Sequence, residues 1–152
     1  MVWTVLATWF GSGLSPKAPG TCGSMAALPF AAIIVFWGGA EALAIAAALV
    51  TLVGITVSNR YMAIKGTAHD PGEIVIDEVA GQWIALIPAG LNPLSFAIAF
   101  VLFRLFDIWK PWPIRLLDQK VEGGLGVMID DVAAGLLAAV ILWGIQQTSG
   151  SF

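Results

Sequence analysis

The sequence predicts an all-α integral membrane protein, a helical bundle of about five membrane segments preceded by an interfacial N-terminal helix. Of its 152 residues, 59% are hydrophobic and only 11% are charged, whereas a soluble domain carries about a quarter charged residues. The uncharged residues form long stretches, and the charged ones are collected into short segments. Lipid is the solvent that fits this pattern, and the length allows one membrane-embedded domain, residues 1–152.

Composition also excludes some partners. The formal net charge of -3 offers no basic surface for nucleic acid. A single cysteine, Cys22, cannot form an internal disulfide. Membrane lipids are the expected surroundings, and the sequence leaves a homo-oligomer open.

The N-terminal half predicts an anchor followed by a helical hairpin. The run VWTVLATWF is too short to cross a bilayer, so we expect an interfacial helix anchored by Trp3 and Trp9. Residues 18–40 and 42–59 are uncharged, and each stretch approaches the ~20 residues that cross a hydrocarbon core of ~30 Å. They predict two helices that turn at residues 38–41, where two glycines precede an alanine and a glutamate.

The C-terminal half contains one clear span and one ambiguous stretch. Residues 132–152 predict a single span, but residues 79–103 are interrupted by Pro88, Gly90 and Pro93. That stretch is either one kinked span or two shorter helices that meet in a turn at residues 89–93. We favour two helices, the first starting near residue 71 and the second ending near residue 109.

Lysine and arginine support the two-helix interpretation. All seven lie in three segments, at residue 17, at residues 60–65 and at residues 104–120. With two helices between the last two segments, every basic residue falls on one side of the membrane. The positive-inside rule makes that side cytoplasmic.

The acidic residues are grouped as well. Nine of the ten lie between residues 70 and 131, and grouped acids at a membrane edge usually mark function. In DPGEIVIDEVAG, Asp70 is a predicted N-cap, which would put Glu73 and Asp77 on one helix face. A capped helix with a solvated first turn explains Asp70 and Glu73 but not Asp77 and Glu78, which lie where the apolar run begins.

A second acidic segment, IDDVAAG at residues 129–135, repeats the pattern of IDEVAG at residues 76–81. Small residues let two helices approach closely in lipid, which would bring the two acidic pairs together. Close carboxylates repel unless a cation lies between them, and hard oxygen ligands favour Mg²⁺. An N-cap in a favourable helix dipole would explain either Asp130 or Asp131, but not both pairs.

Two segments contain candidate phosphate ligands. Arg104, Asp107 and Lys110 are spaced by three at a predicted helix end, and Pro111 follows them. A basic, aromatic anchor at headgroup depth would explain that segment alone; beside an acidic metal site, its two cations could bind phosphate. In GSGLSPKAPGTCGS at residues 11–24, the start of a helix could bind an anion, although the P-loop spacing is absent.

A family resemblance rests on three segments: GLSPKAPGTCGS, DPGEIVIDEVAGQWIAL, and FRLFDIWKPWPI followed by GGLGVMIDDVAAG. Together they resemble the bacterial phosphatidylglycerophosphatase A family. The resemblance implies a Mg²⁺-dependent, multi-pass lipid phosphatase of the inner membrane, with its active site facing the cytoplasm. Such enzymes convert phosphatidylglycerophosphate to phosphatidylglycerol and phosphate.

We therefore predict metal-assisted hydrolysis of a phosphomonoester. Three carboxylates are the main predicted ligands: Glu73, Asp77 and Asp130. Three more are further ligands or lie behind them: Asp131, Glu78 and Asp107. Asp131 or Glu78 would be the general base, and attack by an aspartate instead of water stays open. Four residues would hold the phosphate: Lys17, Thr21, Arg104 and Lys110.

The main alternative is a small transporter whose grouped acids bind a proton or cation. The acids lie at one predicted membrane edge and not at the midplane, which counts against it. A CDP-alcohol phosphotransferase is a second alternative, but its run of aspartates with an Ala-Arg pair is missing from the sequence.

Overall fold

The computed structural model describes residues 1–67 and 70–148. Six α-helices follow one another: α1 Val2–Ala7, α2 Pro19–Lys65, α3 Ile76–Leu86, α4 Pro93–Trp109, α5 Ile114–Lys120 and α6 Gly123–Thr148. The described residues contain no strand, so the all-α prediction is confirmed. His69, which the sequence places in a solvated loop, lies outside the described residues, as does the tail after residue 148.

α2 reverses direction at Gly39, whose φ of 70° and ψ of -167° are open to glycine almost alone. Near the start of α2, a Cβ on Gly20 would overlap the Glu78 carboxylate. Near its end, Tyr61 donates a hydrogen bond to Glu73, in the same short segment of chain. A straight helix would separate Gly20 from Tyr61 by roughly 60 Å. The predicted hairpin is therefore confirmed.

The predicted turn between α3 and α4 is also present. A 3₁₀ turn covers Ile87–Ala89. Asn92 then caps α4, because its Oδ1 accepts hydrogen bonds from the backbone N of Leu94 at 2.9 Å and of Ser95 at 3.0 Å. α4 runs to Trp109, where the sequence predicted its end. Two helices, and not one kinked span, are confirmed here.

The start of α3 differs from the prediction. The sequence predicted a helix from about residue 71, but α3 begins at Ile76. Val75 explains the delay, because its backbone N donates to the Ala7 carbonyl at 2.9 Å and its side chain lies against Gly23. These tertiary contacts override the local helix-start pattern.

Asp130 and Asp131 lie inside α6, which already begins at Gly123. Asn59 from α2 supplies an acceptor at that end, because its Oδ1 accepts a hydrogen bond from the Gly124 backbone N at 2.7 Å. The explanation of either acid as an N-cap is therefore wrong.

α3 and α6 contact each other through glycines. A Cβ on Gly81 would overlap the Asp131 carbonyl and the Phe103 ring, and a Cβ on Gly135 would overlap the Gly81 backbone. Helices associate in lipid through such close backbone approach. The predicted small-residue contact between the two acidic helices is confirmed.

Trp9, which follows α1, is a core residue. Its ring packs edge-on against Phe30 of α2 and Trp83 of α3, with centroid distances of 5.3 and 5.7 Å. The prediction of Trp9 as an interfacial anchor is therefore wrong, whereas Trp3 keeps 37% of its surface exposed. The ring fills the space between α2 and α3, and the sequence pattern alone does not predict that these two helices pack around it.

Two helices, Pro19–Lys65 and Gly123–Thr148, are long and apolar enough to cross a membrane. Large apolar side chains cover the outer surface, and Phe36 and Trp37 are 67% and 82% exposed. Exposed apolar surface on this scale is rare in soluble proteins, and it indicates a helical membrane protein. α3 has 11 residues, which cover ~16 Å of a ~30 Å core. Five complete spans are therefore not present in the described structure.

Candidate functional site

Three carboxylates meet where α3 and α6 come together. Asp77 and Glu78 lie in the first turn of α3, and Asp131 faces them from α6. Each contributes an oxygen that lies within 4.8 Å of the other two. Asp77 and Asp131 are only 6% and 3% exposed, so solvent screens their charges weakly. We call these three residues the carboxylate cluster.

The carboxylate cluster fits a cation. Asp77 Oδ1, Glu78 Oε2 and Asp131 Oδ2 are buried, and none has a hydrogen-bond partner in the described parts of the chain. A buried, unpaired carboxylate is costly, and three so close together repel one another. A divalent ion that prefers oxygen ligands, such as Mg²⁺, would remove both costs.

Arg104 and Asp107 extend the site from α4. Arg104 Nη1 lies 2.5 Å from Asp107 Oδ2 and 4.0 Å from Glu78 Oε1. α4 therefore brings both a guanidinium and a fourth carboxylate to the edge of the cluster.

Asp130 lies beside the carboxylate cluster and not in it. Its Oδ2 is 2.6 Å from Lys110 Nζ. Adjacent residues on a helix project about 100° apart, so Asp130 and Asp131 cannot both face α3. The sequence predicted Asp130 as a main ligand and Asp131 as a further ligand or a residue behind it. Of the two, Asp131 belongs to the carboxylate cluster and Asp130 lies beside it.

Glu73 lies apart from the other predicted ligands. It accepts a hydrogen bond from the Tyr61 hydroxyl and forms an ion pair with Lys65 Nζ at 2.8 Å. The Lys65 ammonium, and then the Tyr61 hydroxyl, hold the pKa of Glu73 below its ordinary value. Because α3 begins after Glu73, the helix face that it was predicted to share with Asp77 does not form.

The start of α2 lies directly against the site. A Cβ on Gly20 would overlap the Glu78 carboxylate and come within 3.2 Å of the Arg104 guanidinium. Thr21 follows at this contact and is half-buried, while Lys17 precedes it and is exposed. A helix N-terminus favours anions, so the predicted phosphate-binding segment and Arg104 share one location.

Comparison with known proteins extends to almost the whole chain. The family model for phosphatidylglycerophosphatase A matches residues 5–146. The chain belongs to the phosphatidylglycerophosphatase A family. The match includes every residue of the carboxylate cluster, together with Arg104 and Lys110.

Similar proteins of known name agree with this family. Phosphatidylglycerophosphatase A of Escherichia coli K12 is 44% identical over 144 residues, covering 93% of this chain and 81% of that protein. The protein of the same name from Haemophilus influenzae is 43% identical over 145 residues, covering 93% and 87%. A Bacteroides thetaiotaomicron relative with the provisional name phosphatidylinositol-3-phosphatase is 39% identical over 151 residues, covering 91% and 89%. No solved structure matches the chain.

Two polar side chains of this family member's site are absent from the predicted set. The Ser24 hydroxyl lies 3.5 Å from Arg104 Nη1. Gln82 is completely buried on α3, one turn after Glu78. An amide inside the apolar run that follows Glu78 is a signal that could have singled out Gln82. Ser24 lies in the predicted anion-binding segment, residues 11–24, but only the fold brings it to Arg104.

Proposed function

We propose that this member of the family hydrolyses phosphatidylglycerophosphate to phosphatidylglycerol and phosphate. The proposal includes Mg²⁺ dependence and a site on the cytoplasmic face of the bacterial inner membrane. Its main support is the position of the carboxylate cluster beside Arg104, since these residues would combine a cation site with a phosphate ligand. The names of the relatives from E. coli and H. influenzae supply the lipid substrate.

The acidic residues would hold the cation. Asp77, Glu78 and Asp131 are the ligands in this proposal, with Asp107 beside them. When bound, Mg²⁺ would neutralise phosphate oxygens and lower the pKa of the attacking water. Glu78 or Asp131 would accept the proton of that water as general base.

The basic residues would hold the phosphate. Arg104 offers a planar guanidinium beside the carboxylate cluster, and such a group binds phosphate oxygens in pairs. Lys110, which Asp130 holds at 2.6 Å, lies on the same side. The first turn of α2 would add backbone N–H groups near Thr21, with Lys17 at its solvent edge.

Membrane topology follows from the same arrangement. In this proposal the two arms of α2 and α6 cross the bilayer, and α3 and α4 form a shorter pair among them, giving five membrane segments. Every lysine and arginine then lies on the cytoplasmic side. The carboxylate cluster lies at that edge, which disfavours a transporter with acids at the midplane.

The direct test is phosphate release from phosphatidylglycerophosphate by the purified protein, in Mg²⁺ and in EDTA. We expect release only with Mg²⁺, and a loss in Asp77→Asn on the order of a thousandfold, because a metal site supplies several kcal/mol of transition-state stabilisation. Glu41→Gln is the matched control, since Glu41 lies at the opposite turn, next to Gly39.

Two outcomes would contradict the proposal. Folded wild-type protein that releases no phosphate from this lipid would exclude the substrate. Phosphatidylinositol 3-phosphate, named for the Bacteroides relative, would be the next substrate to assay. Release that persists in EDTA would exclude the cation.

A further inference from the structure

Gln82 is a buried amide without a visible structural role. It is 0% exposed, and neither its Nε2 nor its Oε1 has a hydrogen-bond partner among residues 1–67 and 70–148. The next residue shows the usual behaviour, because Trp83 Nε1 donates to the Ala27 carbonyl at 3.0 Å. An unpaired amide in an apolar interior costs free energy, so a folded protein rarely keeps one without a use for it.

The geometry of α3 directs this amide towards Glu78. Residues four apart on a helix are neighbours, with Cβ atoms about 5–6 Å apart. Helical side chains also lean towards the helix N-terminus, so Gln82 extends back over the turn that carries Glu78. The terminal torsion of a glutamine is soft, and the amide can rotate at little cost.

Glu78 has a buried oxygen that lacks a hydrogen-bond donor. Its Oε2 is buried without a hydrogen-bond partner in the described structure, while its Oε1 lies 4.0 Å from Arg104 Nη1. A donor from Gln82 would occupy Oε2. A carboxylate oxygen has two lone pairs, so Oε2 can accept this hydrogen bond and still face the cation site, while Oε1 stays on the side of Arg104.

We infer that Gln82 is a positioning residue that donates a hydrogen bond from Nε2 to Glu78 Oε2 and so orients Glu78 as a cation ligand. This inference rests on the cation site proposed above. Groups that hydrogen-bond to a metal ligand orient it, and their loss typically weakens metal binding by about 10–100-fold. The unpaired amide therefore serves the ligand-bound protein and not the fold.

The test is Mn²⁺ binding to the lipid-free protein, followed by electron paramagnetic resonance, in wild type, Gln82→Met and Leu86→Met. Methionine keeps the volume and removes the donor. Leu86 is the matched control because it is fully buried one turn further along the same side of α3. We expect Gln82→Met to bind Mn²⁺ at least about tenfold more weakly, and Leu86→Met to bind like wild type.

Two further readouts separate positioning from packing. The melting temperature of metal-free Gln82→Met should equal or exceed that of wild type, because an unpaired amide leaves the interior. In the phosphatase assay, the Mg²⁺ concentration for half-activation should rise about tenfold, while the KM for the lipid stays unchanged.

Unchanged Mn²⁺ affinity in Gln82→Met would overturn the inference while leaving the proposed function intact. Absence of Mn²⁺ binding in wild type would instead remove the cation site itself, and the inference with it.

Discussion

The two ends of the bundle differ in whether their polar side chains find hydrogen-bond partners within the chain. At the end opposite the carboxylate cluster, Gln146 Nε2 donates to the Pro88 carbonyl at 3.0 Å and to the Ser95 hydroxyl at 3.3 Å. At the cluster end, the Gln82 amide and one oxygen of each cluster carboxylate have no hydrogen-bond partner in the part of the chain that the structure describes. A glutamine amide is therefore hydrogen-bonded to the turn between α3 and α4 at one end, whereas a glutamine amide at the other end has no partner. Most buried polar groups in a folded protein are satisfied within the chain, so several unsatisfied ones in one place indicate a candidate ligand site.

The largest expected effect is on kcat/KM, and it should differ between the neighbouring acids Asp131 and Asp130 when each is replaced by asparagine. Asp131→Asn should lower kcat/KM on the order of a thousandfold, because it removes a carboxylate from the cluster. Asp130→Asn should lower it by about tenfold, since it weakens the ion pair with Lys110 and leaves the cluster carboxylates in place. Phosphate release at saturating Mg²⁺ measures both. Equal losses would mean that both acids act within the cluster.

A smaller effect is expected from the contact that joins the two acidic helices. Gly135→Ala should lower the free energy of unfolding by about 1–3 kcal/mol, because its Cβ has to displace the Gly81 backbone. Gly144→Ala, on the same helix, is the control: its Cβ meets nothing within 4 Å in the described structure, and alanine favours a helix by up to about 1 kcal/mol. Thermal unfolding in detergent compares the two. Equal stability of both variants would show that the close approach of α3 and α6 is dispensable.

The smallest effect on activity is expected at the opposite end. Gln146→Leu removes the donor to Pro88 and Ser95 and should cost about 1–2 kcal/mol of stability. Phosphatase activity should stay within about twofold at temperatures where the protein is folded, because no cluster residue is touched. The exposed neighbour provides the control as Gln147→Leu, with no expected change in stability. A large loss of activity in Gln146→Leu would contradict the interpretation that polar groups at this end serve stability and not catalysis.

Features that depend on local chemistry were predictable from the sequence. Glycines 38 and 39 predicted the reversal of α2, and Pro88, Gly90 and Pro93 predicted the turn between α3 and α4. The repeated acidic pattern, with small residues after each acidic pair, predicted that α3 and α6 meet. The glycines of both helices do let their backbones approach closely. The fold brings Asp77 and Arg104 to the same region of the protein, because both lie close to Glu78; their roles as ligands stay predictions.

The wrong placements depend on tertiary contacts that no local pattern encodes. Glu73 was assigned to a helix face, but Val75 bonds to Ala7 and delays the helix until Ile76. Asp130 and Asp131 are equivalent in sequence, and only the rotation of α6 against α3 decides which one enters the cluster. Adjacent acids on a buried helix therefore need a structure to be told apart.

The outer surface of α4 has a kinetic consequence for any lipid substrate. Val101 and Leu105 are 62% and 50% exposed beside Arg104 on the same helix, so acyl chains can lie along α4 while a headgroup reaches the guanidinium. A substrate that arrives this way diffuses in two dimensions, and its effective concentration is its mole fraction in the leaflet. Adding inert lipid or detergent at constant total substrate should therefore slow turnover by surface dilution, while the released phosphate departs into bulk water.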